Sequence, residues 1–266
     1  MVRNLLKMNL ARNCLRYIIK AYNIKTLYTP YYICPSVIAS IRKENCYIKF
    51  YHIGKNFYPQ KDFNKNDFIL YPNYFGICAK QVFELSKRYK NLIADNAHNF
   101  YMKDCGLASF SSLRKFFNLK DGAFLYISKT IDTKFDKDAY FYEKFDYLTY
   151  EEMKLNEIRL DKEPIKLISK HTEKYFSEID TEKEKQIRLN KFSQLHEKYK
   201  NLNELKFSLS EYDVPFVYPY LTHNSNEVKK LEKEGYTILS YWNYLPENFP
   251  EHLFYNYLIP IPLNNY

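Results

Sequence analysis

The first half of the chain alternates short strand-like runs with amphipathic segments of helical spacing. Residues that favour strands cluster at 25–29, 46–53, 67–71, 92–94 and 123–127. Helices are predicted from a start between residues 9 and 13, over 35–41 and over 81–89. Strands and helices that alternate in this way are typical of a mostly parallel sheet with crossover helices on its faces. The sequence therefore predicts an α/β fold.

The second half has a different pattern, which begins after about residue 132. Residues 150–205 are rich in Glu and Lys with spaced apolar positions, which predicts helices with a long exposed face. Two strand-like runs follow at 214–220 and 236–241, with a helix near 226–234 between them. This order indicates a second, smaller α/β lobe. The expected domains are a large domain over residues 1–135 and a helical segment with a small C-terminal domain over residues 136–266.

The chain carries a formal net charge of +9, which favours anionic partners such as phosphates and nucleotides. Most of the excess is Lys scattered among other polar residues, without a dense basic block. Nucleic acid binding would require a clustered basic face with interleaved aromatic side chains. We therefore expect a solvated surface and no nucleic acid partner.

The five cysteines lie far apart and none belongs to a C-x-x-C pair. This spacing fits neither a zinc framework nor a secreted disulfide scaffold, so a reducing compartment is expected. The N-terminal residues lack the apolar core and cleavage site of a signal peptide. No run approaches the ~20 apolar residues that a membrane span requires. These observations predict a soluble, cytoplasmic protein without a metal site.

Four polar side chains of different chemistry gather within residues 92–115. A buried strand delivers Asp95 and His98 just past its end, and Ser112 and Lys115 follow in a turn. Ligands of open α/β sheets bind outside the carboxyl ends of the strands, so residues there are placed for binding rather than packing. Taken singly, His98 is more often a structural histidine and Lys115 a surface charge. Together they form a candidate cofactor site.

The order of these residues resembles the pyridoxal 5'-phosphate (PLP) site of fold-type I aminotransferases, and specifically that of the DegT-type sugar aminotransferases. In that family a D-x-A-H or D-x-A-Q motif ends a strand, and the lysine follows in a serine-containing turn with a glycine soon after. Here the motif reads DNAH at 95–98, the turn reads SLRK at 112–115, and the glycine is Gly122. The resemblance implies a fold-type I large domain with a smaller C-terminal α/β lobe.

The resemblance also implies a role for each residue of the cluster. Asp95 would keep the pyridine nitrogen protonated, which the cofactor needs to act as an electron sink. His98 would contact the phenolic oxygen, and Ser112 would help to hold the phosphate. Lys115 would carry the internal Schiff base and then serve as general base and acid. A lysine in this role must lose its proton readily, which partial burial and the adjacent Arg114 promote.

Similarity to the family extends to both ends of the chain. The segment LARNCL at 10–15 lies where relatives have a small-residue turn that binds the phosphate, which makes Arg12 and Asn13 candidate contacts. The segment PYYIC at 30–34 lies where relatives place the residue that stacks on the pyridine ring. Strict register gives that place to Cys34, and Tyr32 is the alternative. The run LIPIPL at 258–263 resembles the pattern with which the family's small domain finishes.

Two functions from different classes follow from the resemblance. The first is a PLP-dependent aminotransferase that uses a glutamate-like amino-acid donor to aminate a keto sugar, expected to be nucleotide-linked, for surface polysaccharide synthesis. The second is a relative that binds PLP or a sugar nucleotide without transamination and acts as a scaffold or partner subunit. The lysine favours the first, whereas the short chain and the lack of a clear segment reaching the neighbouring subunit favour the second. Another reaction on the same cofactor is a third possibility, and a homodimer is expected by resemblance.

Overall fold

The computed structural model describes residues 3–139, 150–242 and 245–263. Within these residues a seven-stranded sheet forms the centre of the fold. Its strands are β1 (Asn4–Met8), β2 (Thr26–Pro30), β3 (Tyr47–Tyr51), β4 (Phe68–Pro72), β5 (Leu92–Asn96), β6 (Ala108–Ser112) and β7 (Ala123–Ile127). Their spatial order is β1-β7-β6-β5-β4-β2-β3. Neighbours from β3 to β6 pair in parallel, and β7 runs antiparallel to β6 and β1. The prediction of a mostly parallel α/β sheet is confirmed.

Helices cover both faces of this sheet, and its central strands are therefore buried on both sides. Helices α1 (Ala11–Tyr22) and α2 (Pro35–Lys43) pack on one face, in a cluster that includes Leu70 and Ile93. Helix α3 (Ala79–Arg88) packs on the other face, in a cluster that includes Ile69 and Leu92. Successive strand side chains point to opposite faces, so adjacent residues of one strand serve different helices.

The second half of the chain supplies five more helices among the described residues and a two-stranded antiparallel sheet. These elements are α4 (Tyr150–Lys162), α5 (Lys170–Ser177), α6 (Thr181–Tyr199), β8 (Val217–Leu221), α7 (Asn226–Lys233), α8 (His252–Tyr257) and β9 (Leu258–Pro262). Side chains of α6, β8 and β9 join the same buried cluster as α3. The C-terminal elements therefore pack against the α3 face of the sheet, and the domain boundary after residue 135 stays a prediction.

Three strands of the structure were not expected, and one expected strand is wrong. β1 is a short, partly exposed N-terminal segment, and β6 has the sequence ASFSS, whose small polar residues are weak strand formers. β9 contains Pro260 and Pro262, which normally argue against a strand and are tolerated here because the sheet has only two strands. The run at 236–241 forms no strand, since β9 takes the place beside β8.

No helix in the described part of the chain is both long and apolar enough to cross a membrane.

Candidate active site

Asp95 lies inside β5, whose last residue is Asn96 rather than the predicted Ala94. One carboxylate oxygen of Asp95 accepts a hydrogen bond of 2.9 Å from the backbone N–H of Ala97. Burial raises the pKa of Asp95 to about 6, although this hydrogen bond and the charge of Lys115 act to lower it. A cationic group placed against this carboxylate would favour its ionised form. Asp95 is thus suited to hold a protonated ring nitrogen.

His98 is a buried, neutral imidazole whose two nitrogens have different partners. The backbone N–H of Phe75 donates to Nδ1 over 3.3 Å, and Nε2 lies 3.1 Å from Nζ of Lys115. Burial, and then the charge of Lys115, lowers the pKa of His98 well below its ordinary value. Because Nδ1 accepts a hydrogen bond, the proton of a neutral ring resides on Nε2. His98 then donates to Lys115, which requires the uncharged amine.

Lys115 is half-buried, and this burial lowers the pKa of its amine. Electrostatic interactions with Cys34, Asp95 and Glu157 act to raise that pKa, and the charge of Arg114 acts to lower it. The predicted effect of Arg114 thus has the right direction, but burial contributes more. An amine with a lowered pKa is uncharged more of the time and is a better nucleophile toward an aldehyde.

The turn that carries Lys115 is fixed by the core on either side of it. The turn follows Ser112, the last residue of β6, and the backbone N–H of Leu113 donates to the carbonyl oxygen of Gly122 over 3.0 Å. Leu113 and Phe116 are buried on either side of the lysine. Nζ of Lys115 lies 4.9 Å from the centre of the Phe216 ring. These contacts hold the amine in one place without a long loop.

Ser112 is buried at the carboxyl end of β6, one strand over from Asp95. The structure therefore brings Asp95, His98, Ser112 and Lys115 to the ends of two adjacent parallel strands. The sequence predicted that these residues gather past the end of one strand, and it did not predict β6, which carries Ser112. Their proximity results from the parallel pairing of β5 with β6, which places both carboxyl ends at one edge of the sheet.

Arg12 and Asn13 lie in the first turn of α1, but their side chains have partners within the chain. Arg12 donates to the carboxylates of Glu157 and Asp161 in α4. The amide of Asn13 donates to Asn9 over 2.8 Å and to the carbonyl oxygen of Pro164 over 3.3 Å. Leu10 occupies the N-cap position of α1 and makes no side-chain cap hydrogen bond.

Tyr32 and Cys34 take different positions around the site. Cys34 is the N-cap residue of α2 and lies close enough to Lys115 to interact with it electrostatically. Tyr32 is fully buried, and its ring centre lies 4.7 Å from that of Trp242, edge to face. The two candidates for ring stacking therefore both remain near the site.

Three aromatic residues from the C-terminal half complete the site, and the sequence alone did not place them there. The ring centres of Phe216, Trp242 and Tyr241 lie 5.0, 5.7 and 6.0 Å from that of His98. Phe216 and Tyr241 also line a cavity of about 640 Å³ next to the site. Their separation in sequence from His98 leaves no local signal that could have found them.

Gly76 allows three segments to meet behind His98, and we expect its replacement to be strongly destabilising. Its φ is +77°, and an added Cβ would lie 2.1 Å from the carbonyl oxygen of His98 and 2.8 Å from that of Val214. Gly76→Ala should therefore lower the free energy of unfolding by about 3–5 kcal/mol, measured by urea denaturation. Gly235→Ala is the matched control, because Gly235 also has a positive φ but no atom within 4 Å of an added Cβ. Equal losses in the two variants would contradict the close approach.

The strand order, the flanking helices and the polar edge of β5 and β6 together define the fold of fold-type I PLP-dependent aminotransferases. Solved structures with this fold cover 98% of the chain. Helicobacter pylori PseC, an aminotransferase involved in the biosynthesis of pseudoaminic acid, is similar with a TM-score of 0.61 at 15% identity, over 81% of its own chain.

Two further structures have the same fold. The sugar aminotransferase Spr1654 from Streptococcus pneumoniae, in its PLP form, has a TM-score of 0.65 at 12% identity over 82% of its chain. A DegT DnrJ EryC1 StrS aminotransferase from Brucella abortus has a TM-score of 0.59 at 12% identity over 82% of its chain. No protein-family model matches the sequence, and no curated protein matches it. The resemblance that the sequence suggested is confirmed at the level of the fold.

Proposed function

We propose that the protein is a PLP-dependent aminotransferase of the DegT type that transfers an amino group from an amino-acid donor to a keto sugar. The single observation that carries this proposal is the 3.1 Å contact between Lys115 Nζ and His98 Nε2, with Asp95 at the same strand end as His98. Partial burial of a lysine amine costs free energy, and a bond to the aldehyde of a cofactor would give that amine a use. The proposal explains why that cost is accepted.

The chemistry of these side chains fits PLP at both ends of its ring. Asp95 offers a buried carboxylate for the ring nitrogen, and Lys115 offers an amine with a lowered pKa for the aldehyde. His98 donates from Nε2, which suits the phenolic oxygen, and Ser112 lies at the end of the neighbouring strand. The residues present therefore fit the group that the fold implies.

The side chains of this chain would share the work of the reaction. Bound PLP supplies an aldehyde and an electron-withdrawing ring that stabilises negative charge on a neighbouring carbon. Asp95 holds the proton on the ring nitrogen, because the buried carboxylate gains its counter-ion there. Lys115 Nζ would hold the cofactor through its aldehyde and, once the donor amine has taken its place, would act as base and acid that moves the proton from the donor's α-carbon to the aldehyde carbon of the cofactor. His98 orients the amine of Lys115 through its 3.1 Å contact.

The acceptor is proposed to be a keto sugar, nucleotide-linked, with a role in surface polysaccharide synthesis. Support comes from the similar structures, which include the sugar aminotransferase Spr1654 and PseC, an aminotransferase involved in the biosynthesis of pseudoaminic acid. The cavity of about 640 Å³ behind Phe216 and Tyr241 has room for a substrate of this size, and aromatic walls suit a sugar ring. We also propose a homodimer in a reducing, cytoplasmic compartment, which agrees with five free cysteines.

A binding protein without transamination is the second candidate. The observation that favours it is the engagement of Arg12 by Glu157 and Asp161, which leaves less of the α1 turn open to a phosphate. Such a protein would bind PLP or a sugar nucleotide and serve as a scaffold or partner subunit.

The spectrum of the purified protein with added PLP separates these candidates. An aminotransferase should become yellow, and glutamate or another amino-acid donor should convert the absorbance to that of the amine form of the cofactor. Absence of colour would rule out the aminotransferase and PLP binding by the second candidate. Colour that persists unchanged with every donor tried would favour the binding protein.

A further inference from the structure

Two arginines converge on one carboxylate beside Lys115. Arg12 of α1 and Arg114 both donate to Glu157 of α4, and Nη2 of Arg114 lies 3.1 Å from Oε1 of Glu157. The side chain of Arg12 is only 7% exposed. Burial acts to raise the pKa of Glu157, but Arg114 and Arg12 outweigh it and lower the pKa to about 2. Glu157 is therefore a full anion held between two guanidinium groups.

Glu157 lies beside the turn that carries Lys115. Arg114 directly precedes Lys115 in the turn, and the charge of Glu157 acts on the pKa of Lys115. The first turn of α1 has no side-chain cap, so its backbone amides add positive potential beside Arg12. Paired guanidinium groups match a phosphate as well as they match a carboxylate. A phosphate monoester carries about −1.5 to −2 charges at neutral pH, more than a carboxylate does.

We propose that Arg12 and Arg114 bind the phosphate group of the cofactor, and that the Glu157 carboxylate occupies these arginines until the phosphate replaces it. The proposal rests on the function proposed above, since it needs a phosphate-bearing cofactor at Lys115. Glu157 has a route out, because its side chain is 35% exposed. Helix α4 stays docked during the exchange through Leu160, which is buried against Leu10.

If the exchange occurs, Glu157 should affect the affinity for PLP through the phosphate group of the cofactor and not through its ring. We would measure the dissociation constants of PLP and of pyridoxal, which lacks the phosphate. Trp242 is the single tryptophan, and its ring centre lies 5.7 Å from that of His98, so its fluorescence reports on ligands at the site. Glu157→Gln removes the competing charge and should tighten PLP about tenfold, since a hydrogen bond to a charged group contributes on that order. Arg114→Gln should weaken PLP about tenfold. Pyridoxal should bind both variants as it binds the unaltered protein.

Glu44→Gln is the matched control, because the buried Glu44 carboxylate pairs with Arg16, one turn further along α1. It should leave the affinities for PLP and pyridoxal unchanged. If Glu157→Gln does not fold, Glu157→Asp shortens the same side chain by one methylene and should also tighten PLP. If the Glu157 and Arg114 variants leave the ratio of PLP affinity to pyridoxal affinity unchanged, the proposed exchange is wrong. Failure of PLP to bind the unaltered protein overturns the proposed function instead.

Discussion

Lys115→Ala is expected to abolish the covalent bond between PLP and the protein and to slow amino transfer by at least about 10²–10⁴-fold. This range is the usual contribution of one general acid–base group. The loss should be larger here because the same amine also anchors the cofactor. The measurement is a single-turnover reaction with glutamate, followed by absorbance, in the unaltered and altered proteins.

Two comparisons make this result specific to the lysine. Lys103→Ala removes an exposed lysine from the same region of sequence and should leave the rate unchanged. A small amine such as ethylamine fits the space left by Lys115→Ala and should restore part of the rate. A variant that transfers amino groups at the normal rate would show that another residue moves the proton.

Asp95→Asn is expected to stabilise the cofactor-free protein above about pH 6 and to weaken the binding of PLP. The folded-state pKa of Asp95 is raised from 3.8 to about 6, so its contribution to stability is fully present below the lower value and is lost as pH rises through the upper one. A rise of this size is equivalent to about 3 kcal/mol. Asparagine avoids that loss, and its oxygen can still accept from the N–H of Ala97.

Urea denaturation across this pH range, with and without PLP, tests the expectation. Without PLP, the variant should gain up to about 3 kcal/mol over the unaltered protein above pH 6 and nothing below about pH 4. With PLP, the difference in free energy of unfolding between the variant and the unaltered protein should shrink or change sign, because only Asp95 gains a counter-ion from the ring nitrogen. A variant that is less stable than the unaltered protein at every pH would show that the Asp95 charge is already compensated without a cofactor.

The polar cluster could be predicted from sequence because its members are local. Asp95 and His98 follow a run of buried strand residues, and Lys115 follows within two dozen positions, so hydrophobic pattern and order suffice. The strands rich in branched and aromatic residues, such as β4 and β7, could be predicted for the same reason. β6 was missed because Ala108–Ser112 is made of small residues that fit a strand buried on both faces but do not favour one.

The parts of the site that sequence did not provide depend on contacts between distant residues. Glu157 reaches Arg12 across 145 positions, and nothing in the composition of a Glu- and Lys-rich helix marks that glutamate among its neighbours. Trp242 lies beside His98 only because the segment after α7 folds over β8 instead of forming the strand predicted there. The pKa of Lys115 is also a tertiary property, since burial determines it.

Identification of the residue that bonds PLP tests the central proposal most directly. The protein would be loaded with PLP, reduced with borohydride to fix the bond, digested, and its peptides analysed by mass spectrometry. The modification should fall on Lys115 and on no other lysine. Modification of a different lysine, or none after reduction of a yellow protein, would contradict the assignment of Lys115 and the mechanism built on it.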